Sequence, residues 1–309
     1  MNIIYITSNG RSGSTILEVL LSSAKNTFTL GEVQLLDLEL KFNAKCGSNE
    51  RISESIYWKK IIQQLPLEDN NARISEFRKS NPLTKSHSGK VIRTNYLLAM
   101  LGIKKFKKFE ESYTELNLEL FKKCKEQAEL VTNENIENLI DASKDPYRLF
   151  YLQKSKKINI KAVHLVKHPC SFVYSNIKHL DKEKRLLRII KMSFRWVIEN
   201  LIISFVCKQN PNSILVSYYD LTNKTEESIN SIEKKLEVNF SGYSLENFRQ
   251  IKNYGISGNL SRFRGDQISY DNKWQRELTN THKFLIKLIT ICLSPRLYKL
   301  AKGSRKKKL

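Results

Sequence analysis

The apolar run Asn2-Ile3-Ile4-Tyr5-Ile6-Thr7 stops at a glycine- and serine-rich turn, Ser8-Asn9-Gly10-Arg11-Ser12-Gly13, and a helical pattern begins at Ser14. Strand, turn and helix in that order commit the N-terminus to the first unit of a parallel sheet. Three more runs rich in β-branched and aromatic residues, Asn138–Asp141, Ile160–Lys167 and Ser213–Tyr219, predict buried strands. Helical patterns at Ser14–Ser22, Pro146–Lys154, Ser171–His179 and Leu221–Leu236 follow the four strands in turn. The alternation predicts an α/β fold in which helices cover both faces of a doubly wound parallel sheet.

The interval from about Glu32 to Glu137 is polar and mostly helical, broken at Pro66 and Pro82, and is far longer than an ordinary crossover. It predicts an inserted helical cap over about residues 40–135. Around Lys184–Cys207, the three- and four-residue steps of Leu186, Ile190, Phe194, Val197, Leu201 and Phe205 predict one core-facing stripe. His282–Ala301 repeats the pattern with Phe284, Leu285, Leu288, Ile289, Cys292, Leu297 and Leu300. With 309 residues, no linker and no repeat, a single domain is expected across residues 1–309, closed by a basic tail at 303–309.

A formal charge of +22, from 53 Lys and Arg against 31 Asp and Glu, selects anionic partners without naming one. Lysines are scattered over most segments, so much of the excess is also explained by composition. The first strand is too short for a secretory core, and charges interrupt the longest apolar stretch, so no transmembrane span is expected. Five cysteines at scattered positions, without a CxxC pair, read as reduced core thiols in a cytoplasmic setting. For the last helix and tail, peripheral membrane contact is a second reading beside simple closure of the fold.

The turn after the first strand carries the sharpest chemistry. A strand–turn–helix joint aims backbone amides and the positive helix end at one spot. Here Gly10 and Gly13 permit close approach, Ser12, Ser14 and Thr15 offer hydroxyls, and Arg11 adds a cation. The result reads as a phosphate cradle, P-loop-like in its placement. It is not a Walker A loop, because no lysine precedes Ser14. A plain turn is the competing reading.

Arg11-Ser12-Gly13-Ser14-Thr15 after an N-terminal strand resembles the 5′-phosphosulfate loop of sulfotransferases that use 3′-phosphoadenosine 5′-phosphosulfate (PAPS). The likeness is to the bacterial carbohydrate-type and tyrosylprotein branches. Gly31-Glu32 resembles the Gly-Glu whose Glu is the general base there, although a first-turn glutamate favoured by the helix dipole explains it too. Asp141-Ala142-Ser143-Lys144-Asp145-Pro146 resembles the segment whose lysine faces the phosphosulfate; a solvated Lys144 and an N-capping Ser143 are the alternatives. His164–Ser175 resembles the strand–loop–helix holding the 3′-phosphate, with Lys167 and Ser175 at the spacing of the family's Arg and Ser. Lysine there lacks the guanidinium fork, and His168 replaces the usual Asp or Asn.

Gly258-Asn259-Leu260-Ser261-Arg262 and Asp271-Asn272-Lys273-Trp274 resemble elements that fold over the nucleotide, with Arg262, Arg264 and Lys273 as candidate phosphate cations; a basic surface loop is the alternative. Tyr254 stands where many relatives carry a His, so no role of that His transfers. Cys46-Gly47 and Tyr57-Trp58 match cap elements of the bacterial group, and packing suffices to explain them.

The resemblance implies metal-free, in-line sulfuryl transfer from PAPS to a hydroxyl-bearing acceptor, with carbohydrate favoured. It implies Glu32 as base, Arg11 and Lys144 at the leaving phosphate, and the loop from Gly10 to Thr15, Lys167, Ser175, Arg262 and Lys273 around the nucleotide. Two rivals stand beside it. One is a P-loop kinase or NTPase using Leu139-Ile140-Asp141 as its metal-binding strand. The other is a polyanion-binding protein without catalysis or specific nucleic-acid recognition.

Overall fold

A computed structural model of the chain describes residues 1–65, 73–77, 97–181, 185–246, 248, 253–257 and 268–303. Five strands form the sheet: β1 (Asn2–Ser8), β2 (Thr27–Gly31), β3 (Asn138–Lys144), β4 (Ile160–Val166) and β5 (Ser213–Ser217), in spatial order β2-β3-β1-β4-β5. Parallel registers run from Thr27↔Asn138 to Gly31↔Asp141 and from Ala162↔Ser213 to Val166↔Ser217. Asn2 N donates to Glu137 O and Ile3 N to Asn159 O, so β1 starts beside the starts of β3 and β4. The α/β class read from the alternation is the class observed.

β2 is the strand the sequence analysis missed. Thr27-Phe28-Thr29-Leu30 alternates as a half-exposed strand would, yet all five residues of β2 are buried. A buried glutamate makes this tolerable: Thr29 Oγ1 donates to Glu18 Oε1 at 2.9 Å.

The helices are α1 (Ser14–Leu21), α2 (Leu36–Lys41), α3 (Trp58–Gln64), α4 (Lys107–Thr132), α5 (Pro146–Lys154), α6 (Pro169–Ile177), α7 (Arg185–Lys208), α8 (Tyr218–Asn223), α9 (Thr225–Leu236), α10 (Trp274–Glu277), α11 (Asn280–Leu293) and α12 (Pro295–Ala301). The expected helix Leu221–Leu236 is two, broken at Lys224 with φ −144° and ψ 56°. Tyr218 and Tyr219 leave the strand because Ser217 caps α8, its hydroxyl accepting from Tyr219 N at 3.1 Å. Asp145, not Ser143, caps α5, accepting from Tyr147 N and Arg148 N.

The chain divides into two compact units. The first comprises Met1–Ile6, Glu18–Lys161 and Phe240–Asp266, and the second Thr7–Leu17, Ala162–Asn239 and Gln267–Leu309. The first is organised around a fully buried ion pair. Arg148 Nε donates to Asp141 Oδ2 at 3.0 Å, and its Nη1 reaches Tyr113 Oη at 2.6 Å and Asn117 Oδ1 at 2.8 Å. One guanidinium thereby ties α5, β3 and α4 together, and Asp141 Oδ1 also receives Ser143 N at 3.0 Å, fixing the strand end that carries Lys144.

The core of the second unit gathers Val166, Phe172, Met192, Trp196, Ile286 and Leu297 with their neighbours. Here the expected α7 stripe is corrected. Val197 is buried, but Leu186, Phe194, Leu201 and Phe205 are exposed, and Ile189, Met192, Ser193, Trp196, Asn200, Ile203 and Val206 face inward. α7 carries apolar side chains on two opposite faces, so periodicity alone offers two stripes, and polar partners decide between them. Ser193 Oγ satisfies itself on Ile189 O, and Asn200 bonds His164 and Asn9. In α11 and α12 the same error recurs in part: Leu297 is buried as expected, but Phe284, Leu288, Cys292 and Leu300 are exposed, and Ile286 and Thr290 are buried in their place. Among the described residues no helix is long and apolar enough to cross a membrane.

Arg148→Met leaves a buried carboxylate unpaired and is expected to cost about 3–5 kcal/mol. Adding Asp141→Leu should recover most of that loss, as read by chemical denaturation of the single and double variants.

Candidate functional site

In the second unit, the loop after β1 is held from below by side chains. Asn9 Nδ2 donates to Glu199 Oε2 at 2.7 Å, and Asn200 Nδ2 donates to Asn9 Oδ1. His164 Nε2 lies 3.0 Å from Asn200 Oδ1, so β4, α7 and the loop share one buried chain of hydrogen bonds. Above this anchor, Arg11 takes the left-handed backbone conformation, φ 65°. A residue with a Cβ pays for that conformation, and such strain gathers at ligand sites. Its Nη1 donates to Ser175 O at 3.2 Å.

Gly13 is the position where no side chain fits. Its φ is +89°, and a Cβ would fall 2.2 Å from Cε2 of Tyr218. A Cβ on Gly10 would meet nothing within 4 Å, so that glycine is not required by packing. Ser12 Oγ is buried and has no hydrogen-bond partner, an acceptor and donor left for something that arrives. Ser14 and Thr15 open α1, both buried, and the first amides of a helix have no partner within it.

Lys167, immediately after β4, completes the cluster. Its ammonium donates to Arg11 O at 3.3 Å and lies 4.9 Å from the centre of the Tyr218 ring. Among the described residues no carboxylate pairs with it. Burial is the main cause that holds its pKa below the ordinary lysine value; Lys178 and Arg11 add to the shift and Asp271 opposes it. An anion placed beside it would reverse that penalty. Ser175 Oγ donates back to Phe172 O at 2.8 Å, leaving the oxygen's lone pairs for a donor. Tyr218 is the functional neighbour that sequence reasoning missed, because its segment read as strand.

His168 is a helix cap. Its Nδ1 accepts from Cys170 N at 3.2 Å, capping α6, and its ring stacks on Trp274 with centroids 4.7 Å apart. Lys273 is exposed one residue before α10, where its N donates to Asp271 Oδ1. Arg262 and Arg264 lie outside the described residues.

In the first unit, Glu32 and Lys144 meet directly: Lys144 Nζ donates to Glu32 Oε1 at 2.7 Å, with side chains 20% and 11% exposed respectively. Both backbones are fixed. Glu32 N donates to Ile256 O at 2.8 Å, Gln34 N and Nε2 bond Ser143 Oγ and O, and Lys144 sits at φ 68°. Gly31 precedes them at φ +67°, where a Cβ would come within 2.4 Å of Ile256 O. Asp141, the aspartate of the kinase reading, is spent on Arg148 and Ser143 N.

Arg11, Glu32, Lys144 and Lys167 each sit at the C-terminal end of a parallel strand or just beyond it, the edge at which open α/β sheets bind ligands. The second unit offers amides, hydroxyls and cations to an anion, and the first, taken by itself, holds a carboxylate against a lysine.

No family model matches the chain, and no curated protein matches it. Among solved structures it is similar to the sulfotransferase domain from the curacin biosynthetic pathway, 19% identical over 95% of this chain and 97% of that one, TM-score 0.49. It is also similar to the sulfotransferase domain from the Synechococcus PCC 7002 olefin synthase, 17% identical over 100% of this chain and 90% of that one, TM-score 0.41. Both TM-scores fall below 0.5, so the likeness assigns no activity to this chain.

Gly13→Ala should destabilise the fold by about 1–3 kcal/mol, and a Tyr218→Ala background should return the part due to collision, measured by chemical denaturation. Burial pushes His164 and His168 down to about 4, while an unfolded histidine titrates near 6.5. The unfolded chain therefore takes up protons that the native rings refuse. Stability should be intact above about pH 6.5 and fall toward pH 4 by up to about 3 kcal/mol per ring. Denaturation midpoints across that range should fall less steeply in His164→Gln.

Proposed function

We propose that this chain is a sulfotransferase that moves a sulfuryl group from PAPS to an acceptor hydroxyl, carbohydrate being the favoured acceptor class. The observation that carries the reading is the cluster of Arg11, the buried Lys167, which pairs with no carboxylate among the described residues, and the unpartnered Ser12 hydroxyl just before α1. A buried ammonium met, among the described residues, only by the Arg11 carbonyl and the Tyr218 ring, and a buried hydroxyl without a partner, are both costly, and a phosphate lowers both costs. The same groups fit the doubly phosphorylated nucleotide that such a donor carries.

In this reading Arg11, Ser12, Ser14 and Thr15, with the first amides of α1, hold the 5′-phosphate. Lys167 and Ser175, with the first amides of α6, hold the 3′-phosphate, and Lys273 and Arg262 add charge over the nucleotide. Glu32 accepts the acceptor's proton as the new sulfur–oxygen bond forms and the bond from sulfur to the bridging phosphate oxygen breaks. Lys144, paired with Glu32 at rest, turns to the leaving phosphate and neutralises the charge that collects there. Proton, sulfuryl group and leaving bisphosphate are all accounted for, and the chain's own side chains provide every charge the step needs. The kinase reading is weakened because Asp141 is already committed to Arg148.

Calorimetric titration with 3′,5′-bisphosphoadenosine tests the donor. Binding is expected in the native chain and roughly 10- to 100-fold weaker binding in Lys167→Met; a native chain that does not bind the bisphosphate overturns the reading. In an acceptor screen with labelled PAPS, Glu32→Gln should lower kcat on the order of 10²–10³ while leaving bisphosphate affinity unchanged. An unaltered kcat removes Glu32 from the role of base.

A further inference from the structure

The second unit presents an apolar surface that its own core does not use. On α7, opposite the face that buries Trp196 and Asn200, Leu187 is 80% exposed, Phe194 43%, Ile198 53%, Leu201 46% and Phe205 41%. Steps of seven, four, three and four residues place these five on one stripe of a helix about 36 Å long. α11 packs against α7 and repeats the arrangement: Phe284 is 66% exposed, Leu288 48% and Ile291 41%, opposite the buried Ile286 and Thr290. Apolar side chains aligned in this way mark a surface that meets something.

Charge selects what it meets. α7 carries Arg185, Arg188, Lys191, Arg195 and Lys208 against Glu199, and that carboxylate is already engaged by Arg195 and Asn9. α11 adds Lys283 and Lys287, α12 adds Arg296 and Lys299, and neither helix has an acidic residue. Lys191 borders the α7 stripe, three residues from Phe194 and seven from Ile198, and Lys287 borders the α11 stripe between Phe284 and Ile291. A second copy of the chain would set these cations against themselves. A surface that is apolar within and anionic at its rim would pair with both features.

We propose that the outward faces of α7 and α11 dock on an anionic lipid bilayer, lying in the headgroup boundary with their lysines at lipid phosphates. The proposal is independent of the sulfuryl-transfer reading. It keeps α11, which lies in the closing segment His282–Ala301 where the sequence suggested membrane contact, and adds α7.

The test is flotation of the full chain with phosphatidylcholine vesicles, with and without phosphatidylglycerol. The chain should float with the anionic vesicles and not with the neutral ones. A Phe194→Asp, Ile198→Asp double variant should partition on the order of tenfold less with unchanged thermal unfolding. As a second measurement that needs no folded variant, an environment-sensitive fluorophore on the exposed Cys292 of α11 should shift to the blue with anionic vesicles; the other four cysteines are buried. Binding that the double variant retains in full, as net charge alone would give, overturns the proposal. So does a label that does not respond, or a vesicle-free dimer that the same substitutions dissolve.

Discussion

A polar group taken out of water must be met by another, and this demand governs where the chain's helices go. The clearest case is Arg148, whose guanidinium has no exposure and meets Asp141, Tyr113 and Asn117 at once. Three elements of different kinds converge because one cation needs them. The loop after β1 obeys the same demand through Asn9, Asn200 and His164. Cradle and core are thus built from one kind of contact, and the Ser12 hydroxyl matters because it lacks it, as does Lys167 because it has only the Arg11 carbonyl among the described residues.

The parallel sheet was legible because strands covered on both faces carry short apolar runs, Ile3–Ile6 in β1, Leu139-Ile140 in β3 and Ala162-Val163 with Leu165-Val166 in β4. β2 was not, since Thr27 and Thr29 gave it the pattern of a half-exposed strand while Glu18 allowed it to be buried. The core face of α7 was misread for a related reason. Leu201 and Phe205 are more apolar than Ser193 and Asn200, and hydropathy could not know that Asn200 had partners waiting in His164 and Asn9.

At the site, the residue types at strand ends were legible and their partners were not. Arg11, Glu32, Lys144 and Lys167 stood out by position, next to glycines or at the close of apolar runs. That Lys144 would grip Glu32, that Lys167 would lie over Tyr218, and that His168 would cap α6 as an aspartate does are consequences of distances in space, to which a linear pattern is blind. The left-handed backbones of Arg11 and Lys144 belong to the same group, because nothing in either side chain favours that conformation.

Gly31 has one more consequence, which concerns time. Its backbone is sandwiched against residues 255 and 256, and Leu30 O and Glu32 N are bonded to Ile256 N and O. A chain synthesised from its N-terminus exposes Glu32 long before Ile256 exists. The end of β2 must therefore wait, with its amide and carbonyl still in water, until some 220 further residues have left the ribosome. Assembly of the carboxylate's surroundings is among the last events in the birth of this molecule, and a nascent or truncated chain carries Glu32 without them.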